Sequence, residues 1–534
     1  MPDAPTVLDA LHRRAAASAE DLFCHFVAAG RSRPISCREA LAASARYAEL
    51  YRARGLERGN LVLVILRHTP ELYFAFLGAM LAGCIPSFMP PPSAKQDPEL
   101  HRAQQQALLE RIGPRAVVTY AENAPSLAEI SSTLVVLTPE DAEQSAQTPP
   151  ELDISGDDIA FLQHSSGTTG LKKGAMLSHG AVAAQVGRYG AALGIEPTDV
   201  IVSWLPLYHD MGLIACFILP LCAGVPFVSL DPFEWTARPA ILFDAIAAHG
   251  GTHVWLPNFA FHHLARNVTG SPGADLSGVK AFIDCSEPCR IETFELFARS
   301  FSAWGVRPDQ LRICYAMAET VFAVTQTPAG DAVKALALEG RSVPSVGRPI
   351  ADVTLEIIDA AGSGLGEGEI GEVAVRAPFL FSGYHQDPER TRARLDQGRY
   401  RTGDLGVLRD GELYLLGRTD DLIIINGRNI LAHDVEYLLN AEAAGIKGGR
   451  CVALGVFNPE IGSCELVILA EPEGDVDARA LSRKVKQIVL TGFAVMPREV
   501  RLVEPGWLAK TTSGKLAREL NLQKYLAQRA PEPA

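Results

Sequence analysis

Positive charge is the first thing this chain is short of. Its 49 lysines and arginines face 62 aspartates and glutamates, a net charge of −13 over 534 residues. No basic stretch interleaved with aromatic residues makes up the deficit. This argues against a general nucleic-acid or anionic-membrane surface, which depends on a positive field. Paired cysteines are missing as well. The ten cysteines are scattered without a zinc-knuckle or Cys-x-x-Cys spacing, and the nearest neighbours, Cys285 and Cys289, make a poor metal signature. No signal peptide is recognisable, so reduced thiols and a cytoplasmic location are expected. Repeats are absent, and low complexity is confined to the Pro/Ala tail at 530–534. One charge-free run, residues 211–230, is long enough to cross a bilayer. Pro220, Gly224 and Pro226 interrupt it, which predicts a short buried helix followed by a strand and no stable membrane insertion.

With 48% hydrophobic and 21% charged residues, the composition is that of an ordinary globular enzyme. The length predicts more than one domain. The most informative stretch is Ser165-Ser166-Gly167-Thr168-Thr169-Gly170-Leu171-Lys172-Lys173-Gly174. Glycines let a backbone turn tightly and bring its N–H groups to a polyanion, hydroxyls add donors, and a lysine adds a point charge. Two readings fit: a cradle for the phosphates of a nucleotide, or a flexible solvated linker. The flanks favour the cradle. Residues 159–162 read as a buried strand and residues 176–186 as a helix, the placement a phosphate loop requires. No Gly-Lys-Ser/Thr closes the loop, so it is not a Walker A motif.

Apolar runs at 61–66 and 116–119 alternate with helical patterns at 70–82 and 99–112, which predicts parallel sheets covered on both faces. After about residue 345 the pattern changes to short strands at 353–358, 371–376, 406–408 and 413–416, with Asp410-Gly411 in a hairpin position. The expected fold is α/β. A large N-terminal domain, residues 1–417, would hold two βα-covered sheets and a distorted β-barrel or antiparallel sheet. A small mobile α+β domain, residues 418–534, would follow a hinge near 418–421.

Four more segments accompany the loop: Tyr315-Ala316-Met317-Ala318-Glu319-Thr320, Tyr400-Arg401-Thr402-Gly403-Asp404, Gly417-Arg418-Thr419-Asp420-Asp421 and Lys510-Thr511-Thr512-Ser513-Gly514-Lys515-Leu516. In this order they resemble the core motifs of the adenylate-forming superfamily: acyl-CoA synthetases, fatty acyl-AMP ligases, adenylation domains and beetle luciferase. The resemblance covers roughly residues 5–525. It implies that a carboxylate attacks the α-phosphate of ATP to give an acyl-AMP and pyrophosphate, and that the acyl group then passes to a thiol. Two anions meet in the first step, so phosphate clamps and a divalent cation are needed.

By this resemblance Ser166, Thr168, Thr169 and Gly170 hold the β- and γ-phosphates with Lys173 close by and Lys172 toward solvent. Glu319 is the implied Mg²⁺ ligand, Asp404 takes the ribose diol, and Arg418 supports ribose or phosphate. Lys515 enters to neutralise charge at the α-phosphate and carboxylate. Adenine is implied to lie against Asp284-Cys285-Ser286-Glu287-Pro288 and the face of Tyr315, beside Ala316, Met317 and Ala318. The segment 204–212, Trp204-Leu205-Pro206-Leu207-Tyr208-His209-Asp210-Met211-Gly212, resembles the acid-binding motif. His209 falls at its gate position, or is a satisfied structural histidine. Trp204, Trp255, Asn258 and Phe259, with Pro257 and Phe261, line an acyl pocket or are plain core. Asp420 matches the hinge about which the small domain rotates between half-reactions.

Within the superfamily several features are similar to fatty acyl-AMP ligases: the run 205–213, Ser286-Glu287-Pro288, Ala318 before the metal glutamate, Asn426-Gly427-Arg428-Asn429 with Asp434-Val435-Glu436, and Pro90-Pro91-Pro92. Others depart from that branch. Ala316 replaces a customary glycine, and the region 324–346 is shorter than the branch's full insertion, which is associated with rejection of CoA. The expected acceptor is the phosphopantetheine thiol of a holo-acyl carrier protein, with CoA as the alternative.

Overall fold

Residues 61–66 and 116–119 do become parallel strands. The computed structural model describes residues 6–18, 20–91, 98–145, 153–165, 173–270, 273–338, 341–425, 428–458, 461, 463–510 and 515–528. Among these, Leu61–Ile65 and Ala116–Thr119 pair in parallel at the centre of a four-stranded sheet, flanked by Ile85–Phe88 and Val135–Leu137. Every residue of the two central strands is buried, as the unbroken apolar sequence requires.

A second, larger sheet runs in the order Arg348–Pro349, Ala323–Gln326, Leu311–Ala316, Ala281–Asp284, His253–Leu256, Ile201–Ser203, Phe227–Ser229, Leu22–Ala28 and Arg31–Ser36. Its six inner strands are parallel, and antiparallel strands close both edges. Helices Glu71–Leu81 and His179–Leu193 pack into the core beside these sheets. Ser178 caps the latter by accepting from the Ala181 N–H, and Gly194 ends it in the left-handed conformation at φ 69°.

The third unit is antiparallel, a half-barrel of Thr354–Ile358, Gly371–Arg376, Leu395–Asp396, Arg399–Arg409 and Glu412–Arg418. Asp410 (φ 53°) and Gly411 (φ 74°) make its hairpin turn, where two left-handed residues match the strand twist. Within the region 324–346, Ala335–Leu338 and Arg341–Pro344 form a hairpin whose Val343 packs on Val407 and Tyr414 of the half-barrel. The α/β class, with two helix-flanked sheets and a half-barrel, is thus as expected. Beyond it, Ile446–Asn458, Ser463–Pro472 and Glu499–Leu502 form a small sheet with helices Ala432–Glu442, Ala478–Phe493 and Arg518–Ala527. The two apolar clusters around this sheet contain only residues from Ile423 onward.

One expectation needs adjusting. Residues 176–178 are not helical: Lys173–Ser178 is a strand, antiparallel to Ile159–Ser165, and the helix starts at His179. The glycine-rich loop therefore joins two strands of a hairpin rather than a strand and a helix, and a helix N-terminus does not follow it directly. The charge-free run 211–230 becomes a π-wound helix Met211–Ile218, a short helix Leu219–Ala223 and the strand Phe227–Ser229. Among the described residues no helix is long and apolar enough to cross a membrane.

Candidate active site

The hairpin Ile159–Ser165 and Lys173–Ser178 brackets the glycine-rich loop. Ser166, Thr168, Thr169 and Gly170 lie outside the described residues. Lys173 opens the returning strand, and a segment of the chain some 200 positions later is laid beside it. The Met176 N–H donates to the Gly383 carbonyl (2.9 Å) and the Ser382 N–H donates to the Met176 carbonyl (2.8 Å). This backbone pairing brings Tyr384 to Lys173, whose ammonium lies 5.8 Å from the ring centroid. Burial and then Arg390 hold the Lys173 pKa below its ordinary value, while Glu319 pulls the other way. Beside it lies a cleft with ≈ 60 Å³ of free space, lined among others by Arg111, His164, Lys173 and His385. Asp387 stands in the same lining, so the cleft is of mixed charge.

Glu319 sits in the tight turn Ala318–Thr320 that follows the strand Leu311–Ala316. It is 8% exposed. Its Oε1 accepts from the Tyr384 hydroxyl at 2.6 Å, and the Tyr400 hydroxyl lies 3.3 Å from that of Tyr384. Burial first, then the Glu319 charge, push both phenols far above their ordinary range, so they stay protonated donors. Thr320 Oγ1 closes the turn by donating to the carbonyls of Met317 and Phe322. Ala316 needs no glycine-only backbone, since the left-handed residue here is Val321 (φ 63°).

Asp404 and Arg418 are opposite one another in the half-barrel register. Arg418 Nε donates to Asp404 Oδ1 at 2.9 Å, and the Tyr315 hydroxyl donates to Asp404 Oδ2 at 2.5 Å. The Asp404 charge, more than any other influence, raises Arg418 above its ordinary value. Arg418 also feels Glu319, as does Lys173, so the two carboxylates and two cations form one electrostatic cluster.

On the other side of Tyr315, the chain leaves the strand Ala281–Asp284 as a loop through Ser286, which adopts φ 75°. Lys515 Nζ donates to the Ser286 carbonyl. Glu287 Oε2 accepts from the Phe259 N–H at 3.1 Å, anchoring the first turn of the helix Asn258–Asn267. His209 Nδ1 lies 2.8 Å from Asp210 Oδ1, and the Met211 N–H donates to the same carboxylate. Burial opposes ionisation of Asp210, yet His209, the Met211 N–H and Lys515 together keep its pKa below the ordinary value. Gly212 lets this loop close on its helix, because a Cβ there would stand 2.3 Å from the Pro206 carbonyl oxygen.

The pocket candidates divide. Trp204 stacks on Trp235 at 3.6 Å, and Phe259, 47% exposed, meets both rings edge-on. Asn258 is half-buried at the helix start. Trp255 belongs to the interior: it is fully buried, and its indole N–H donates to the Tyr189 hydroxyl at 3.0 Å. Asp420 is exposed in the turn Thr419–Asp421 directly after Arg418. Pro288 belongs to the same loop as Ser286.

Sequence reasoning missed Tyr384, Tyr400 as a partner of Glu319, and Asp210 as a partner of His209. Adjacency could have flagged Asp210, but nothing local marks Tyr384. Among the described residues no group of three or more His, Cys, Asp or Glu could cage a metal ion. A single braced carboxylate such as Glu319 nevertheless fits Mg²⁺ carried in on ATP, since that ion keeps phosphate and water ligands and needs few from protein.

The chain is 29% identical over 545 residues to the long-chain-fatty-acid–AMP ligase FadD32 of Mycolicibacterium smegmatis, covering 88% of this chain and 85% of the relative. It is also 29% identical over 521 residues to the medium-chain-fatty-acid–[acyl-carrier-protein] ligase JamA of Moorena producens, covering 88% and 86%. A solved structure from work on fatty acyl-adenylate ligases of E. coli and L. pneumophila superposes with a TM-score of 0.89 at 26% identity, covering 98% of both chains. The AMP-binding enzyme family model matches residues 11–385, so the chain belongs to that family.

Proposed function

We propose that this chain is an ATP-dependent acid–thiol ligase. It activates a fatty or related carboxylic acid as its acyl-adenylate with release of pyrophosphate, then transfers the acyl group to the phosphopantetheine thiol of an acyl carrier protein. The observation that carries the reading is the convergence of Lys173, Glu319, Asp404 and Arg418 from four separate stretches of sequence onto one electrostatic cluster at Tyr315, while Lys515 reaches the Ser286 carbonyl in the loop that follows the neighbouring strand. The names of the relatives, an AMP ligase and a carrier-protein ligase of fatty acids, support the acid and the acceptor.

Asp404 would accept from both ribose hydroxyls, a task for a carboxylate that can take two donors at once. Adenine would lie between Tyr315 and the 284–288 loop. Ser166, Thr168, Thr169, Gly170 and Lys173 would hold the triphosphate, and Glu319 would hold the Mg²⁺ that ATP brings. That ion supplies charge neutralisation on the phosphates when bound. Lys515 would stabilise the negative charge that builds up as the acid's oxygen bonds to the α-phosphorus and the pyrophosphate leaves. His209, oriented by Asp210, would stand at the entrance of the acid pocket beside Trp204, Asn258 and Phe259. Residues 1–417 and 418–534 would act as two domains turning about Asp420, a division supported by the apolar clusters that begin at Ile423. Ten cysteines without a disulfide suit a reducing cytoplasm.

The test is ATP–pyrophosphate exchange over a panel of acids, followed by intact-mass detection of thioester on holo-carrier protein and on CoA. Exchange with no acid overturns the enzyme reading. Thioester on CoA alone replaces the carrier protein with the alternative acceptor, which the short hairpin insertion would explain.

A further inference from the structure

The loop that carries Ser286 is held by the C-terminal part of the chain at two points. One is Lys515. The other is Arg290, the last residue before the helix Ile291–Phe301. Its guanidinium carbon lies 3.7 Å from the centre of the Tyr437 ring, and its Nη2 lies 3.4 Å from Asp434 Oδ1. Asp434 and Tyr437 are three positions apart on the helix Ala432–Glu442 and share one face. His433 Nε2 stands 3.6 Å from the same Asp434 carboxylate. The helix is tied in turn to the segment bearing Lys515. Arg518 binds Glu436 through Nε at 2.9 Å and Nη2 at 2.6 Å, and binds Asp421, beside the hinge residue, through Nη1 at 2.7 Å.

A continuous path therefore leads from Arg290, through the helix and Arg518, to Lys515 three residues earlier. An arginine suits this position because its flat cation stacks on a ring while its edge meets a carboxylate, which a lysine cannot do. The contact is also one that can be undone. Tyr437 is 43% exposed and Arg290 keeps a quarter of its side-chain surface in water, and the buried Asp434 carboxylate keeps His433 beside it when Arg290 leaves.

We propose that Arg290 is a positioning residue for the first half-reaction: its contact with Tyr437 and Asp434 clamps the helix Ala432–Glu442 onto the 285–290 loop so that Lys515 reaches the site, and it must release before the acyl group can be transferred. This rests on the function proposed above. A clamp of this kind favours one arrangement of the C-terminal part and leaves the transfer arrangement untouched, so its loss divides the two half-reactions.

The experiment uses the full chain and an acid the wild type accepts. Arg290→Ala is expected to lower the ATP–pyrophosphate exchange rate about tenfold, mainly in kcat rather than in KM for ATP. Transfer from preformed acyl-adenylate to the thiol acceptor should be unchanged or faster. Tyr437→Leu, an exposed change that leaves Arg290 intact, should act in the same direction, and Arg290→Lys should recover part of the loss. Combining Arg290→Ala with Asp434→Asn should cost no more than Arg290→Ala alone. Equal loss of both half-reactions, or exchange at the wild-type rate in both Arg290→Ala and Tyr437→Leu, overturns the clamp. Absence of exchange in the wild type would overturn the function instead. The clamp is then judged by amide hydrogen exchange, where Arg290→Ala must deprotect residues 432–442, and unchanged protection refutes it.

Discussion

Replacing Tyr384 with phenylalanine removes one oxygen atom and deprives a buried carboxylate of a donor. The Tyr384 hydroxyl donates to Glu319 Oε1 at 2.6 Å, and Glu319 is shielded from water that could substitute for it. The ring itself stays: it packs edge-on against Phe381 at 4.8 Å and keeps Lys173 over its face, and phenylalanine preserves both contacts. What is lost is the hydrogen bond to a charged acceptor, worth about 1.5–3 kcal/mol, or about a 10- to 150-fold effect if the whole of it is felt in one step, together with the longer contact to the Tyr400 hydroxyl at 3.3 Å. Where that loss falls decides the role of Glu319. If the carboxylate steadies Mg²⁺ on the triphosphate, Tyr384→Phe should slow ATP–pyrophosphate exchange by about 10- to 100-fold at a fixed Mg²⁺ concentration. Half-saturating Mg²⁺ should rise, and excess Mg²⁺ should restore part of the rate. A titration of exchange rate against Mg²⁺ in both proteins, beside a thermal melt, measures all three. Wild-type exchange and Mg²⁺ dependence, with the loss confined to the melting temperature, would show that Glu319 and Tyr384 are a structural pair and that the metal role is misassigned.

Three further outcomes are expected. Lys515→Ala should slow adenylation by about 10²–10³-fold while ATP binding, followed by calorimetry, changes little; an unchanged exchange rate would show that Lys515 has another role. Asp420→Pro should retain acyl-adenylate formation and lose thioester transfer, since proline fixes φ where a hinge must turn; equal loss of both steps counts against the hinge. Burial depresses His179 and His253 from 6.5 to about 4. Between those values the unfolded chain binds more protons than the folded one, so stability present above pH 6.5 drains away as pH falls toward 4, by about 3 kcal/mol for His179. Chemical denaturation across that window should show a flatter pH dependence for His179→Gln than for the wild type, and an equally steep loss would refute the assignment.

Much of the scaffold was legible because its elements are locally determined. Strands such as Leu61–Ile65 are apolar on both faces, which only a covered parallel sheet accommodates. The Asp410-Gly411 turn was visible because few residue pairs tolerate two left-handed conformations in succession. The strand Lys173–Ser178 was read in part as helix because a short apolar run carries no decisive period, and only its pairing with Ile159–Ser165 settles the matter. The site was legible as motifs but not as partnerships. Tyr315 and Asp404 are 89 positions apart, and Glu319 and Tyr384 are 65 apart. Each pair exists because the packing of separate elements delivers it: Tyr315 and Asp404 belong to different sheets, and Glu319 and Tyr384 to a turn and a loop joined by the Phe381 N–H donating to the Glu319 carbonyl, so no sequence window contains both members. Trp255 shows the converse: an aromatic at a pocket-like position whose N–H is already committed to Tyr189 inside the core.

Under the proposed function the arrangement of Asp404 and Arg418 would join nucleotide contact to domain movement. They face each other across the last rung of the half-barrel, and the turn Thr419–Asp421 begins at the next residue. Thr419 Oγ1 donates to the Gly403 carbonyl, one residue before Asp404, so the base of the turn is fastened to the strand that carries Asp404. At its far end Asp421 is held by Arg518, which belongs to the C-terminal part. Asp420, exposed between these two anchors, would absorb the change in backbone angle that the proposed hinge requires. A rotation there would carry Lys515 away from Ser286 and break the Arg290 contacts while leaving Asp404 and Tyr315 fixed in their strands and Glu319 in its turn. The nucleotide half of the site would then persist through the second half-reaction, and the lysine that serves the first would be withdrawn from it by the same movement that admits the thiol.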